Sequence, residues 1–154
     1  MIRRAGAEDA DLLLAWANDP VTRAASFHPA PIDAATHAEW LGGRLRSPTT
    51  RLFIGLEDDV PVGQVRLEAD ADGRVEVAIS VAPAARRRGH GQALLAAALD
   101  TGKADADLGA RVFVARIRPD NRPSIALFAR GGFHRAAADQ VCDDVPCVVY
   151  ERPA

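Results

Sequence analysis

The chain has 154 residues, 48% of them hydrophobic, which suits one domain with a single substantial core and leaves no room for a second full one. A formal net charge of −2 excludes the global positive field that draws proteins onto nucleic acid. No apolar run approaches the ~20 residues that span a bilayer, so a cytoplasmic protein without membrane attachment is expected. Cys142 and Cys147, the only cysteines, lack a second pair or a nearby histidine to complete a zinc site. They are read as free thiols near a strand, and no metal is expected.

Residues Ile2 to Arg4 make a first short strand. Asp9 to Ala17 carries Leu12, Leu13, Leu14 and Trp16 in a helix-sized segment, which Asn18-Asp19-Pro20 ends because proline disfavours helix at the residue before it. A second helix starts from Asp33, a good N-cap, and runs through His37, Trp40 and Leu41 until Gly42-Gly43 weakens it or Ser47-Pro48 stops it. The period then changes. Leu52, Phe53, Ile54 and Leu56 form a strand, Asp58-Asp59 turns, and Val62 to Leu67 returns.

Asp70 to Gly73 makes the next turn. In Arg74 to Val81, Val75, Val77, Ile79 and Val81 alternate with Arg74, Glu76, Ala78 and Ser80, the mark of a strand with two unlike faces. Pro83 closes it. A turn of arginines and glycines follows, then a helix from Gly91 to Leu99 that buries Leu94, Leu95, Ala98 and Leu99. Arg111 to Ile117 is a strand reached across that helix and suited to parallel pairing. Pro123 to Arg130 gives another helix, stopped by Gly131-Gly132, and Phe133 onward and Cys147 to Glu151 supply two terminal strands.

Chemistry is expected where the strand ending at Val81 meets the helix at Gly91. Glycines let backbone approach a ligand closely, and amides at a helix start favour phosphate. Alone, the turn is equally readable as a tight bend with solvated arginines. A dinucleotide fingerprint would need a third glycine and a ribose-binding acid, and neither is evident.

Arg86, Gly89 and Gly91 match an Arg-x-x-Gly-x-Gly pattern. Downstream, Asn121, Ser124, Leu127 and the Gly132-Phe133 pair match a second motif in order and spacing. Together they resemble the GNAT superfamily of acyl-CoA-dependent N-acyltransferases, closely from Val75 to Phe133 and more loosely before it. The resemblance implies an α/β (α+β) fold: a mixed, mostly antiparallel sheet of about seven strands with helices on both faces, in the order β-α-α-β-β-β-α-β-α-β-β. It implies acetyl-CoA as co-substrate, its pyrophosphate on the amides of Arg86, Arg87, Arg88, Gly89, His90 and Gly91, with Gln92 also at the cofactor. The pantetheine arm would lie along Ile79, Ser80 and Val81, with Asn121, Ser124 and Phe128 beside it, between strands that splay apart.

Amine attack on a thioester needs a neutral amine, and Glu76, on the strand resembling the family's base-bearing strand, can take the proton through a water. Its other reading is an ion pair with a cross-strand arginine such as Arg66. Backbone amides near Val81 can polarise the carbonyl. Where the family often places a tyrosine to protonate the thiolate, this chain has Phe128, and Tyr150 reads as packing. Ser124 or a water is left for that role.

The acceptor site in such proteins is shaped by the first two helices, which makes Asn18, Asp19, Arg23, Ser26 and Phe27 candidates, with His28 and His37 more ordinary surface or capping residues. The run from Trp16 to Trp40 resembles the branch that acetylates amino groups of nucleotide-linked deoxysugars. A protein N-terminus, a small amine, and a non-catalytic acetyl-CoA sensor are the alternatives. The expected partner is a small-molecule amine, and the chain a monomer or homodimer.

Overall fold

In the computed structural model, which describes residues 1–136 and 138–154, strand β1 (Ile2–Arg4) leads to helices α1 (Ala10–Ala17), α2 (Pro20–Ala25) and α3 (Ala34–Arg46). Three antiparallel strands follow, β2 (Thr50–Glu57), β3 (Val60–Ala69) and β4 (Arg74–Val81). Helix α4 (His90–Ala104) crosses to β5 (Val112–Ile117), and α5 (Arg122–Arg130) leads to β6 (His134–Arg135), β7 (Gln140–Cys142) and β8 (Val145–Pro153). The sheet runs β1-β2-β3-β4-β5-β8-β6, with β7 on β8. The mixed, mostly antiparallel sheet is as expected. It has one strand more than the order read from sequence, and the helices number one more.

The extra helix is α2. Pro20 ends α1 but also opens α2: Asp19 accepts a hydrogen bond from the Thr22 amide at 3.1 Å, and a proline just inside a helix start wastes no donor. Gly42-Gly43 does not interrupt α3, because Leu41 on its inner face is 2% exposed and packs with Leu13 and Trp16 against Leu52, Ile54 and Val62. Each such buried apolar side chain contributes about 1.5–3 kcal/mol, more than the cost of a helical glycine.

On the opposite face, Leu94, Leu95, Ala98 and Leu99 of α4 meet Phe53, Val65, Leu67, Val75 and Phe113. Two facing glycines decide how closely: Gly55 and Gly63 are paired across β2 and β3, and a Cβ on either would collide with Leu94. Their bareness seats α4 against the sheet and so fixes the height of the turn at its start.

The cysteines correct the reading as free thiols: Cys142 and Cys147 form a disulfide with Cα atoms 6.0 Å apart. The two-residue turn at Asp143-Asp144, with φ of 49° and 62°, folds β7 onto β8, and aspartate tolerates that left-handed backbone. Cys142 then pairs with Val145, which puts it diagonal to Cys147 on the same face, within bridging range.

Candidate active site

Strands β4 and β5 are parallel and pair over only three rungs, Arg74 with Val112, Val75 with Phe113 and Glu76 with Val114. Beyond Glu76 they part. Val77 to Val81 keep β3 as a partner on one side, while on the other their backbone edge faces the gap toward Ala115 to Ile117, whose far edge, like that of all β5, is held by β8. An edge of unpaired N–H and C=O groups invites an extended, amide-bearing ligand.

At the wide end of the gap lies the arginine-glycine turn. Gly89 caps α4 with φ +79°, Arg87 has φ 65°, and a Cβ placed on Gly89 meets no protein atom within 4 Å. The turn therefore presents bare backbone to open space at the start of a 15-residue helix, where dipole and free amides favour anions. A Cβ on Gly91 would stand 3.3 Å from Leu127 Cδ1 and 3.8 Å from Val81 Cγ2, so α4, α5 and β4 meet closely there. These residues fit an acyl-CoA.

Several candidate residues are occupied elsewhere. Arg86 Nη2 lies 2.6 Å from Asp19 Oδ2. Gln92 Nε2 donates to Leu127 O at 3.1 Å and ties α4 to α5. His90 Nε2 lies 3.3 Å from Glu57 Oε2 but, among the described residues, makes no hydrogen bond. Asn121 caps α5, its Oδ1 accepting from the Ser124 amide at 3.3 Å, which leaves its Nδ2 and the half-buried Ser124 at the mouth of α5. Phe128 is 3% exposed and packs edge-on against Phe133 at 5.0 Å, inside the core.

At the narrow end, Glu76 Oε2 meets Arg116 Nη1 at 2.7 Å. Glu76 is thus in an ion pair, but with β5 and not with Arg66. Glu68, Asp70, Arg74, Glu76, Val114 and Arg116 surround a pocket of about 180 Å³. Arg74 holds Glu151 at 2.7 Å, and the Arg74 amide draws the Asp70 carboxyl below its usual range. Further along the same sheet face, Glu68 pairs with Arg44, and Arg44 and Arg66 place their guanidiniums 5.8 and 5.9 Å from the Trp40 ring. Trp40 and Arg44 line an open groove of about 480 Å³. Among the described residues Arg66 Nε is buried without a hydrogen-bond partner.

The acceptor candidates form one segment, and their polar groups are spent on holding it. Asn18 grips Ile32 at both backbone groups, 2.7 and 2.8 Å. Arg23 donates to Ala17 O and His28 O, each at 2.6 Å, and burial pushes its guanidinium pKa down. Ser26 Oγ accepts from the His28 amide at 3.2 Å. Phe27 packs on Val114, Cys147 and Val149. Sequence reading missed Arg116, Arg44 and Glu68. Strand alternation places Arg116 on the Glu76 face, but no local signal names its partner.

An α/β protein whose sheet splits beside a glycine-rich helix start defines the acyl-CoA-binding transferases. The sequence profile of the acetyltransferase (GNAT) domain matches residues 1–134, and the chain belongs to this family. A search of curated protein sequences finds no match. Among solved structures it is similar to ribosomal-protein-alanine N-acetyltransferase from Brucella melitensis, with 24% identity and TM-score 0.83 over 100% of this chain and 99% of that one. It is also similar to aminoglycoside acetyltransferase AAC(6')-Ib in complex with coenzyme A and kanamycin, with 18% identity and TM-score 0.86 over 99% and 94%. The putative acetyltransferase yncA from Salmonella typhimurium, with its cofactor acetyl-CoA, matches at 22% identity and TM-score 0.79 over 99% and 92%. Among the described residues no helix is long and apolar enough to cross a membrane.

Proposed function

We propose that the chain acetylates a primary amine of a sugar nucleotide in the cytoplasm, using acetyl-CoA. The observation that carries this reading is the gap between β4 and β5, bounded by the bare turn at one end and Glu76 with Arg116 at the other. From Val81 to Glu76 is five strand residues, roughly 16 Å at about 3.3 Å each, a length suited to a pantetheine arm.

Acetyl-CoA supplies an activated acyl thioester. Amides of Arg86 to Gly91 hold its pyrophosphate, Arg87 and Arg88 add charge, and the edges of Ile79, Ser80 and Val81 align the arm with help from Asn121. Glu76 receives the amine proton, directly or through a water, at the oxygen that Arg116 leaves free. As the C–N bond forms the C–S bond breaks, and the Ser124 hydroxyl or a water returns a proton to the sulfur. Phe128 has no proton to give.

The groove by Trp40 supports the acceptor class. An indole flanked by two guanidiniums suits a nucleobase with attached phosphates, and Glu68 connects that groove to Glu76 across one β3–β4 rung. An amine beside electron-withdrawing ring oxygens also loses its proton more readily than lysine does. The test is acetyl transfer to an amino-sugar nucleotide, kanamycin and an alanine-terminated peptide, followed by thiol release and product mass. The sugar nucleotide is expected to lead in kcat/KM by at least about tenfold, and a lead by the peptide would overturn the reading.

A further inference from the structure

Arg86 opens the cofactor turn, yet its side chain reaches across to the acceptor side. Nη2 stands 2.6 Å from Asp19 Oδ2 and 3.2 Å from Thr22 Oγ1. Both partners belong to the first turn of α2, 67 and 64 residues earlier in the chain. Asp19 is already committed to α2, accepting from the Thr22 amide at 3.1 Å and from its hydroxyl at 3.2 Å. The guanidinium, foremost, holds the Asp19 carboxyl below the usual range.

From α2 the connection continues through polar contacts without a break. Arg23 clamps Ala17 and His28, Asn18 clamps Ile32, and Arg118 at the end of β5 donates to Ser26 O at 3.1 Å. Phe27 covers Val114 and Val149. Residues 17–32 therefore form one hydrogen-bonded strap over the far side of the gap, attached to the cofactor turn through Arg86.

The geometry points to Arg86 and Asp19 as a positioning pair: occupancy of the turn by coenzyme A is transmitted through their ion pair to the strap that walls the acceptor side. This rests on the proposed seat of the pyrophosphate at the turn. Arg87 and Gly89 hold left-handed backbone on either side of Arg88, a conformation that a ligand on the amides steadies. Steadying the backbone at Arg86 steadies its hold on Asp19, and a rigidified element lowers the entropy cost of ordering its neighbour.

The test uses Asp19→Asn, Arg86→Gln, Arg86→Lys and the double variant Asp19→Asn with Arg86→Gln in the full chain, with coenzyme A as the probe. Asparagine caps a helix as well as aspartate does, so Asp19→Asn removes the charge and keeps α2. Calorimetry gives coenzyme A affinity, and hydrogen exchange follows amides of 20–32 with and without the ligand. Coenzyme A is expected to slow exchange in 20–32 of the wild type at least about fivefold. Asp19→Asn, which lies outside the turn, is expected to lose that response while binding coenzyme A within about threefold of wild type, and Arg86→Gln to lose it at saturating coenzyme A. The double variant should be no worse than either single one, and Arg86→Lys should recover part of the response.

Persistence of the response in both variants overturns the coupling. So does loss of the response in Arg86→Gln but not in Asp19→Asn, which makes Arg86 act on the ligand and not through Asp19. A wild type that does not bind coenzyme A sinks the proposed function and the coupling together, whereas binding without protection of 20–32 sinks the coupling alone.

Discussion

Glu76 Oε2 and Arg116 Nη1 are 2.7 Å apart on the rung where β4 and β5 cease to pair. The pair closes the narrow end of the gap and leaves one carboxylate oxygen free. Glu76→Gln keeps the shape and removes the proposed base, so kcat should fall by about 10² or more, with coenzyme A affinity unchanged. Steady-state kinetics beside calorimetry checks this; an unaltered kcat would return Glu76 to a purely structural ion pair.

Gly89→Trp should abolish coenzyme A binding, because the new side chain occupies the open space above the turn. The φ of +79° also strains any L residue by about 1–2 kcal/mol, so the thermal midpoint is measured alongside. A folded variant that binds like wild type would place the pyrophosphate elsewhere.

Asp9 is expected to contribute to the acid limit of stability. It is 5% exposed, receives both Arg3 Nη atoms at 2.8 and 2.9 Å and the Gly6 amide at 2.9 Å, and the Arg3 hydrogen bonds hold its pKa below the ordinary carboxylate value. A depressed pKa contributes stability that is complete above the unfolded value and lost as pH falls toward the folded one. Urea unfolding should show Asp9→Asn weaker than wild type by about 1–3 kcal/mol at pH 7, the difference shrinking below about pH 4.

His37 acts higher on the pH scale with the same sign. It is 4% exposed, stacks 5.6 Å from Trp40, and burial lowers its pKa. The unfolded chain takes up the proton first, so stability should begin to fall below about pH 6.5. His37→Phe should flatten that part of the urea-midpoint profile and leave the acid limb, to which Asp9 contributes, unchanged.

Reducing the Cys142–Cys147 bridge reopens a short loop, worth about 2 kcal/mol on the chain-entropy account. Cys142→Ser should therefore lower the thermal midpoint by roughly 4–8 °C. Dithiothreitol should do the same to wild type and nothing to the variant.

Where local chemistry and tertiary structure agree, the sequence was readable. The alternation from Arg74 to Val81 located β4 residue for residue, and Asp33 located the start of α3. Pro20 misled because one residue type both stops a helix and starts one, and only the Asp19 cap tells which. The cysteines misled because their pairing depends on a hairpin that neither residue announces. The partners of Glu76, Arg86 and Gln92 lie on other elements, 40, 67 and 35 residues away, where periodicity carries no information.

The gap between β4 and β5 also divides the polypeptide. In the sheet, β1 to β4 lie on one side and β5 to β8 on the other, with the strap of residues 17–32 reaching across, and residues 105–111 join α4 to β5. A chain cut there should yield two fragments that regain the cleft by association, through three rungs, the Arg74 and Glu76 ion pairs and the apolar seam between α4 and α5. The proposed acyl-CoA cleft is at the same time a natural split point, and acetyl transfer could then report on whether the two halves have met.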